Sequence, residues 1–558
     1  MADDADSKLG GPRAWFLLIL LTAILAISLL DRQIVGILAG DIRRDLHLND
    51  SEFGLIYGTF FGIFYALFSI PLGRLADGWS RTRQVALSLL GWSAATYGSA
   101  LCHSFGPMAV MRTLVGVGEA GVGPASYSLI SDLFPKAKRA TAFAVYGSGT
   151  AIGVGLSSWI GGGIADAWTR AFGGGPGWFG LTGWQAAFVA VSVPAVLVAL
   201  LMWRVREPPR GISDGLVQPG DSHPFRRAGE ELMALLPMLS LLNLRRLRAP
   251  ASAWVYNTVA FVLVCAGTIV ATKAAESVTP PDRLTIYTTL SGFPITSHFI
   301  QWATVGLGIY AFVSWTQSQR LRDVVAHRVM WSSPTFIALI IAAALNMMVT
   351  YGLTAWGPLF AVRHYHASMA EVGAKLGLAI GVAGLIGVVG GGWLADVIRK
   401  RHPLGRLWVL LVCVTLPAPA VWITFSQPTL TRFAVAHTIV SLFLGGWLPC
   451  CAATLHDLVL PRMRGTAIAL MYLSITIFGL GTGPYLVGLM SDITGDLGGS
   501  VLRLYGVSVL SFIAVVCALR TFTRDEATLL DRARAAGEPL EEERYNGPLE
   551  TQLTGRRL

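Results

Sequence analysis

The sequence predicts an all-α, polytopic membrane protein built from two six-helix bundles. Of its 558 residues, 53% are hydrophobic and only 14% are charged, whereas a soluble chain carries about 25% charged residues. Uncharged runs recur along the chain, each close to the roughly 20 residues that a helix needs to cross a bilayer. The strands of a membrane β-barrel would alternate in polarity and be about half as long, and the sequence has no such pattern.

Twelve of the apolar runs fall into two groups of six. In the N-terminal bundle, predicted at 14–205, spans 1 to 6 cover approximately residues 14–38, 53–73, 84–103, 107–131, 140–165 and 184–204. In the C-terminal bundle, predicted at 334–522, spans 7 to 12 cover approximately residues 335–362, 372–395, 405–425, 431–457, 464–490 and 500–521. Short polar segments, 1–13 and 523–558, flank the bundles.

The segment between the bundles, 206–333, begins as a polar, proline-containing linker. It also holds two apolar runs, at 252–272 and 299–318, each long enough to span a bilayer. We expect a hairpin of two membrane helices here, about 14 in all, because an even insertion leaves the orientation of both bundles unchanged. A pair of interfacial or re-entrant segments is the alternative.

Basic residues predict the orientation in the membrane. The loops after spans 2 and 4 each carry three basic residues, whereas the loops after spans 3 and 5 carry none and one. Because loops rich in Lys and Arg stay in the cytoplasm, we expect both termini in the cytoplasm. The expected location of the protein is the inner cell membrane. The net charge of +10 follows from these loops and does not indicate nucleic-acid binding.

The two bundles contain similar segments in the same order. The stretch "GRLADGWSRTR" from Gly73 matches "GWLADVIRKR" from Gly392, and "SDLFPKAKRATA" (131–142) matches "HDLVLPRMRGTA" (456–467). Such a repeat predicts two homologous, parallel bundles with a substrate site between them near the membrane midplane.

The spacing of charged residues supports the repeat. In the first bundle, Arg139 lies seven residues after Asp132, and Asp166 follows 27 residues later. The second bundle has the same series with spacings of 7 and 28, at Asp457, Arg464 and Asp492.

These motifs resemble the major facilitator superfamily over about residues 14–522. The resemblance rests on Gly73-x-Leu75-Ala76-Asp77 with Arg81 and Arg83, on Gly392-x-Leu394-Ala395-Asp396, and on Arg112-x-x-x-Gly116-x-Gly118-Glu119-Ala120. The stretches "LLDRQIVGIL", "RTLVGVGEAGVGPASYSLISDLFP" and "MMVTYGLTAWGPLF" look like the Spinster branch, whose members handle sphingolipid-like and lysophospholipid-like molecules. The resemblance implies the major-facilitator fold and secondary transport. The usual twelve spans of that family make the insertion a departure.

An acid and a base, Asp31 and Arg32, interrupt span 1. At ~1.5 Å per residue, Asp31 lies on the order of 8 Å beyond the middle of the span, where an unpaired charge costs about 3 kcal/mol or more. Neighbouring helix positions point about 100° apart, so each residue needs its own partner. The alternative is that span 1 ends at Leu30 and both charges lie among the headgroups.

Span 4 supplies candidate partners, Arg112 and Glu119. They are seven residues apart and therefore share one helix face. The family resemblance places spans 1 and 4 beside a central cavity, so we expect a buried cluster of two acids and two bases. Burial and the arginines affect the acids in opposite directions, a balance typical of proton-coupling groups. The alternative is that Arg112 and Glu119 only brace the bundle.

From this cluster we predict a secondary transporter driven by a proton gradient, without other cofactors or metals. Protonation of Asp31 and Glu119 would alternate with substrate binding near Arg32 and Arg112. The expected substrate is a small amphipathic or anionic molecule, lipid-like as in the Spinster branch. An organic-acid symporter of another branch and a non-transporting sensor remain alternatives.

The loop motifs predict a cytoplasmic gate rather than a substrate site. The family resemblance implies that Asp77 meets the start of span 11 near Arg464, where a helix N-terminus favours an anion, and nearby arginines such as Arg81 or Arg83. Asp396 has the equivalent position in the second bundle. The gate prediction also includes Asp132, Arg139 and Asp457.

Several polar and aromatic residues are predicted to line the cavity, although aromatic core packing is the alternative. They are Ser126, Tyr127, Tyr351, Thr354 and Trp356. The chain has no P-loop, zinc-ligand spacing, catalytic triad or nucleophile elbow, so an enzyme is not expected. We expect a monomer with the lipid bilayer, protons and substrate as its partners.

Overall fold

A computed structural model of the chain describes residues 9–210, 223–290 and 292–538. Most of the predicted N-terminal segment (1–8), part of the linker (211–222) and most of the tail (539–558) lie outside the described residues. The described chain is helical apart from one small hairpin and short connections.

The first bundle contains the six predicted spans. Their helices are Pro12–Ile37 for span 1, Asp50–Gly78 for span 2, Arg81–Ala100 for span 3, Phe105–Glu119 and Val122–Leu133 for span 4, Lys136–Leu156 and Gly162–Ala171 for span 5, and Gly183–Arg204 for span 6. A short helix, Ala39–Asp45, joins spans 1 and 2, and a 3₁₀ turn, Trp178–Gly180, precedes span 6. Wider π turns at Leu55–Thr59 and Ser157–Gly161 lie within spans 2 and 5.

The segment between the bundles is mostly helical. Two short helices, Pro224–Leu235 and Leu239–Arg246, precede insert helix A (Ala251–Val278) and insert helix B (Ser297–Arg322). A two-stranded antiparallel hairpin of β1 (Ile286–Leu290) and β2 (Phe293–Thr296) joins the insert helices. This hairpin was not predicted.

The second bundle repeats the arrangement of the first. After the connecting helix Val324–Trp331, its helices are Pro334–Tyr365 for span 7, Met369–Arg399 for span 8, Gly405–Thr415 and Pro417–Phe425 for span 9, Leu430–Asp457 for span 10, Arg464–Ser474 and Gly483–Thr494 for span 11, and Leu497–Ala527 for span 12. The short helix Leu529–Ala536 follows span 12.

Local sequence explains where several spans begin. Asn49 and Glu52 form a reciprocal capping box at the start of span 2, and Ser333 and Ser368 cap spans 7 and 8 with their hydroxyl groups. These side chains satisfy amides that a helix cannot pair internally. Within the bilayer, helices also pair the rest of their backbone without water.

Ten helices in the described ranges are long and apolar enough to cross a membrane. They include insert helix A and nine of the twelve predicted spans. Spans 3, 4 and 5 and insert helix B are helical but shorter, interrupted or more polar. The fold is therefore an all-α, polytopic membrane architecture with two six-helix bundles and an inserted helix pair, as predicted.

The two bundles meet mainly along two seams, between spans 2 and 11 and between spans 5 and 8, with a smaller contact between spans 1 and 7. Glycines permit this close approach, because a Cβ at Gly58 would overlap the backbone carbonyl of Leu480. We name the end of the molecule that holds Pro12 and the helix Leu529–Ala536 the terminal face, and the other end the opposite face.

Candidate functional site

Span 4 is broken where its acid is located. Its first helix ends at Glu119, and the second begins at Val122. Four glycines, at 116, 118, 121 and 123, surround the break, and a Cβ at Gly116 would overlap the backbone carbonyl of Phe61 in span 2. Interrupted helices of this kind are frequent at transporter sites. The sequence analysis predicted span 4 as one helix and did not predict this break.

Glu119 is paired with Arg32 of span 1. Arg32 Nε donates to Glu119 Oε2 at 2.6 Å, and a terminal guanidinium nitrogen lies 2.6 Å from the same oxygen. Ser28, one helical turn before Arg32, donates its hydroxyl to Oε2 at 2.7 Å. The Glu119 side chain is 1% exposed, whereas that of Arg32 is 24% exposed. The carboxylate is therefore buried, and the guanidinium reaches a more open space.

Asp31 has a different partner, Arg112 of span 4. Its Oδ2 lies 3.6 Å from a terminal nitrogen of Arg112, and its Oδ1 accepts a hydrogen bond of 2.9 Å from Thr96 of span 3. Both members of the pair are buried, with side chains 1% and 3% exposed. Asp31 and Arg32 thus point to separate partners, as the helix geometry requires.

The two pairs differ in how well their polar atoms are satisfied. Arg112 Nε and the Arg112 nitrogen nearest Asp31 have no hydrogen-bond partner in the described part of the chain, and neither has Asp31 Oδ2. In the other pair, Glu119 Oε1 also has none, but Oε2 accepts from both Ser28 and Arg32. Because an unsatisfied buried donor on a charged group is costly, Arg112 is the group of this cluster best prepared to receive an anionic ligand.

A small cavity lies directly beside these pairs. Its lining includes Arg32, Arg112, Gln33, Tyr57, Phe61 and Tyr351. The Arg32 guanidinium stacks over the rings of Phe61 and Tyr65 of span 2, at 4.7 and 4.8 Å from their centroids. Such cation–π contacts hold a charge in a position that still faces the cavity.

A second, larger and more apolar cavity adjoins the first, and Gln33 lines both. Its walls are mainly apolar and come from spans 1, 5, 7, 8 and 10. Thr354, Ser157 and His437 supply polar groups, and His437 Nδ1 is buried without a hydrogen-bond partner in the described chain. Together the cavities combine a cationic end with an apolar end.

Of the five residues that were predicted to line the cavity, two line the cavities described above and three lie elsewhere. Tyr351 and Thr354 line the two cavities. Tyr127 is half exposed and packs against span 5, and Ser126 is completely buried. Trp356 is also completely buried, and its Nε1 donates to the backbone carbonyl of Pro484 at 2.8 Å. Trp356 therefore joins spans 7 and 11 instead of facing either cavity.

The predicted gate residues lie at the terminal face, where equivalent ion pairs occur in both bundles. Arg81, at the start of span 3, lies 2.5 Å from Asp132, at the end of span 4. Arg406, at the start of span 9, lies 2.7 Å from Asp457, at the end of span 10, and 2.8 Å from Asp396. The repeat thus places an arginine–aspartate pair at the same point of each bundle.

The remaining gate residues lie on the surface of this face. The Asp77 side chain is 66% exposed, and its carboxylate is 3.4 Å from Arg74. Arg83 and Arg464 are exposed, and Arg139 Nε donates to the backbone carbonyl of Phe134 at 3.3 Å. In this conformation, Asp77 contacts a residue of its own helix.

Arg81 has an additional partner in the linker. Its Nε donates to Glu207 at 2.7 Å, and Glu207 also accepts from the backbone amide of Thr82. Burial acts to raise the pKa of Glu207, but these hydrogen bonds and the Arg81 charge outweigh it, so the pKa lies below its usual value.

A second cluster at the terminal face joins three distant segments. Arg462 before span 11 lies 2.6 Å from Asp323 at the end of the insert and 2.5 Å from Glu538 after the last helix. We name these three residues the tail anchor. The hydrogen bonds from Arg462 hold the pKa of Glu538 below its usual value. Burial acts to raise the pKa of Asp323, but the hydrogen bond from Arg462 helps to lower it overall.

At the opposite face, the bundles are held together by contacts across both seams. Asp492 of span 11 accepts backbone hydrogen bonds from Asp50 and Ser51 at 2.9 and 2.7 Å. Asp166 of span 5 accepts one from the backbone of Ala370, at the start of span 8, at 3.0 Å. The molecule is therefore closed at this face.

The sequence analysis did not identify Ser28, Thr96 or Gln33. Ser28 could have been found, since it lies four residues before Arg32 and hence on the same helix face. Thr96 gave no signal of its own, because one threonine in an apolar run is common. Among the described residues, no group of three or more His, Cys, Asp or Glu side chains could hold a metal ion.

Comparison with known proteins identifies the family of this chain. The model of the Major Facilitator Superfamily matches residues 21–416. An MFS-type efflux pump of Mycolicibacterium smegmatis (strain ATCC 700084 / mc(2)155) is 25% identical over 537 residues, which cover 95% of this chain and 98% of that protein. A hexuronate transporter of Bacillus subtilis (strain 168) is 29% identical over 185 residues, 33% of this chain and 40% of that protein.

The fold is also found in a solved structure. The crystal structure of a bacterial homologue of the human lysosomal transporter Spinster, in an inward-facing and unoccupied conformation, has a TM-score of 0.61 and 22% sequence identity. The match covers 94% of this chain and 99% of that one. The protein described here belongs to the Major Facilitator Superfamily and is an integral, multi-pass membrane transporter.

Proposed function

We propose that the protein is a proton-coupled secondary transporter that moves a small amphipathic or anionic molecule by alternating access. The observation that carries this proposal is the buried cluster of two acid–arginine pairs beside a cavity between the bundles. Fully buried carboxylates are rare in membrane helices and are typical of proton pathways.

The chemistry of the cluster couples proton binding to anion binding. A proton on Glu119 removes the charge that holds Arg32, and a proton on Asp31 removes the charge nearest Arg112. Each event leaves a guanidinium free to pair with a carboxylate or phosphate of the substrate. Loss of the proton restores the internal pair and expels the anion.

The shape of the site favours an amphipathic substrate. The smaller cavity presents both arginines, and the larger one is mainly apolar. A molecule with an anionic head at Arg112 and an apolar body beyond Gln33 would use both cavities. This arrangement suits the lipid-like substrates expected from the resemblance to the Spinster branch.

The relatives support transport. The M. smegmatis relative that matches nearly the whole chain is an MFS-type efflux pump. Because the cluster would bind its proton and the anion together, we propose symport, in which the proton gradient sets the direction of transport. The hexuronate transporter supports a second candidate, symport of an organic acid, because a uronate carboxylate would bind the same arginines. We further propose an inner cell membrane location, cytoplasmic termini and a monomeric transporter.

The test is transport by purified protein in proteoliposomes under an imposed pH gradient. The probes are D-glucuronate, a fluoroquinolone and a fluorescent lysophospholipid, which represent an organic acid, a drug and a lipid-like molecule. Wild type should concentrate at least one probe against its gradient. Glu119→Gln and Asp31→Asn should lose uphill transport and retain exchange of labelled for unlabelled substrate.

The control is Glu371→Gln, which removes an acid from an exposed pair with Lys375 and should transport normally. If both site variants still move substrate uphill on the proton gradient, coupling through Asp31 and Glu119 is wrong. If the wild type exchanges none of the probes, the proposed substrate classes are wrong.

A further inference from the structure

We propose that Asp166 and Asp492 are paired latches that close the opposite face, so that the internal repeat provides a second gate there. This proposal rests on the alternating-access part of the proposed function. The five residues that end at each of these acids share one pattern, "GGIAD" at 162–166 and "GLMSD" at 488–492. In both, a glycine precedes the acid by four residues.

Each acid binds the N-terminus of a helix in the other bundle. The carboxylate of Asp492 accepts the backbone amides of Asp50 and Ser51 at the start of span 2, and that of Asp166 accepts the amide of Ala370 at the start of span 8. The first amides of a helix lack internal partners and carry partial positive charge. Each acid therefore caps a helix of the other bundle, because its carboxylate accepts the hydrogen bonds that a capping side chain next to that helix would normally accept.

The glycine one turn earlier explains why the acids can reach these amides. A Cβ at Gly488 would overlap the backbone carbonyl of Asp50, and a Cβ at Gly162 would lie 3.1 Å from the carbonyl of Met369. A larger residue at either glycine would hold the facing helix start away from the acid. The glycine and the acid thus form one contact unit, repeated about the pseudo-symmetry of the bundles.

Among the described residues, the insert strengthens only the seam between spans 2 and 11. Gln301 of insert helix B lies 2.6 Å from the Thr59 hydroxyl of span 2 and donates to the Gly481 carbonyl of span 11 at 2.9 Å. His298 contacts the Tyr485 hydroxyl of span 11 at 2.8 Å. The insert therefore bridges both bundles, and the Asp492 latch has support that the Asp166 latch lacks.

Opening of the opposite face requires both latches to release. Asp492 is buried, so its bonds to span 2 cannot be exchanged for water without separation of the helices. Asp50 reinforces this seam through Arg363 of span 7, at 3.2 Å. Because the bundles move as rigid bodies in alternating access, release at one seam should loosen the other.

Hydrogen–deuterium exchange of the full-length protein in nanodiscs tests this inference. Asp492→Ala should raise exchange at the start of span 2 and also, at a distance, at the start of span 8. Asp166→Ala should have the converse effect. Loss of charge-assisted hydrogen bonds predicts a tenfold or larger increase in exchange rate. The increase should be smaller for Asp492→Ala than for Asp166→Ala, because the insert still holds the seam between spans 2 and 11 after Asp492 is replaced.

The controls remove acids that act within one bundle. Asp496→Ala removes the cap of span 12, an intact bond of 2.9 Å to Gly499, and Asp45→Ala removes a bond of 2.8 Å from Trp184. Neither should change exchange across the seams. The inference is overturned if each variant affects only its own contact, if the controls give the same remote effect, or if no exchange changes. None of these readouts needs a substrate or a pH gradient, so they stand apart from the test of proton coupling.

Discussion

Arg32→Gln should destabilise the protein more than Arg112→Gln, although both remove an arginine that faces a buried acid. The pair of Arg32 with Glu119 is short, at 2.6 Å, and includes a direct hydrogen bond. The pair of Arg112 with Asp31 is longer, at 3.6 Å, and the Arg112 atom in that contact makes no hydrogen bond in the described chain.

The expected difference follows from these distances. At an effective dielectric constant of about 20, Coulomb's law gives about 6 kcal/mol of attraction for the short pair and about 5 kcal/mol for the long one. A charged hydrogen bond adds about 1.5–3 kcal/mol to the short pair alone. We therefore expect Arg32→Gln to lower the free energy of unfolding by at least about 2 kcal/mol more than Arg112→Gln.

Equilibrium unfolding in mixed detergent–SDS micelles measures this difference. At lower pH, protonation of Glu119 removes the stranded charge, so the penalty of Arg32→Gln should shrink. Arg246→Gln, which breaks a more exposed pair with Glu230, is the control and should cost less than about 1 kcal/mol. Equal penalties for the two site variants, or a penalty of Arg32→Gln that does not change with pH, would refute the reasoning.

Three further outcomes follow from individual contacts. Thr96→Val removes one hydrogen bond to Asp31, worth about 1 kcal/mol, and should shift the proton concentration for half-maximal transport about fivefold in proteoliposomes. Gly58→Ala should lower the thermal unfolding midpoint, because a Cβ there meets span 11 and overpacking costs about 1–3 kcal/mol. Gly91→Ala is the control and should leave the midpoint unchanged, since a Cβ there meets nothing within 4 Å. The tail anchor contains acids with lowered pKa values, so its ion pairs should persist at neutral pH and weaken as pH falls below about 4. Limited proteolysis should then detect release of the segment around Glu538 at low pH. In Arg462→Gln the same release should occur already at pH 7.

The sequence predicted the fold well because membrane helices leave strong signals. Uncharged runs and the repeated loop motifs identified both bundles and the inserted pair. The need for separate partners of Asp31 and Arg32 followed from helix geometry alone, and the structure places each beside a different residue of span 4. The role of these residues in proton coupling stays a prediction.

Other features depend on contacts that no single segment encodes. The break after Glu119 results from glycines that fit against neighbouring helices. Trp356 looked like a cavity residue because it shares a span with Tyr351 and Thr354, yet its indole faces span 11. The partner of Asp77 depends on which face of the transporter is open, and a sequence does not specify the conformation.

Span 2 provides a physical connection between the candidate proton site and the proposed latches. Its Phe61 and Tyr65 hold the guanidinium of Arg32, and its first amides are held by Asp492. A π turn, Leu55–Thr59, separates these two parts of the helix, and such turns mark places where a helix adjusts at a functional site. In the proposed coupling, a proton on Glu119 would release Arg32 from its acid, and movement of Arg32 would then act directly on the rings of span 2 that it contacts. The same helix must then leave span 11 for the opposite face to open. Charge neutralisation beside the middle of span 2 and gate release at its start are therefore steps that a single helix can link, without a longer chain of contacts through the bundle.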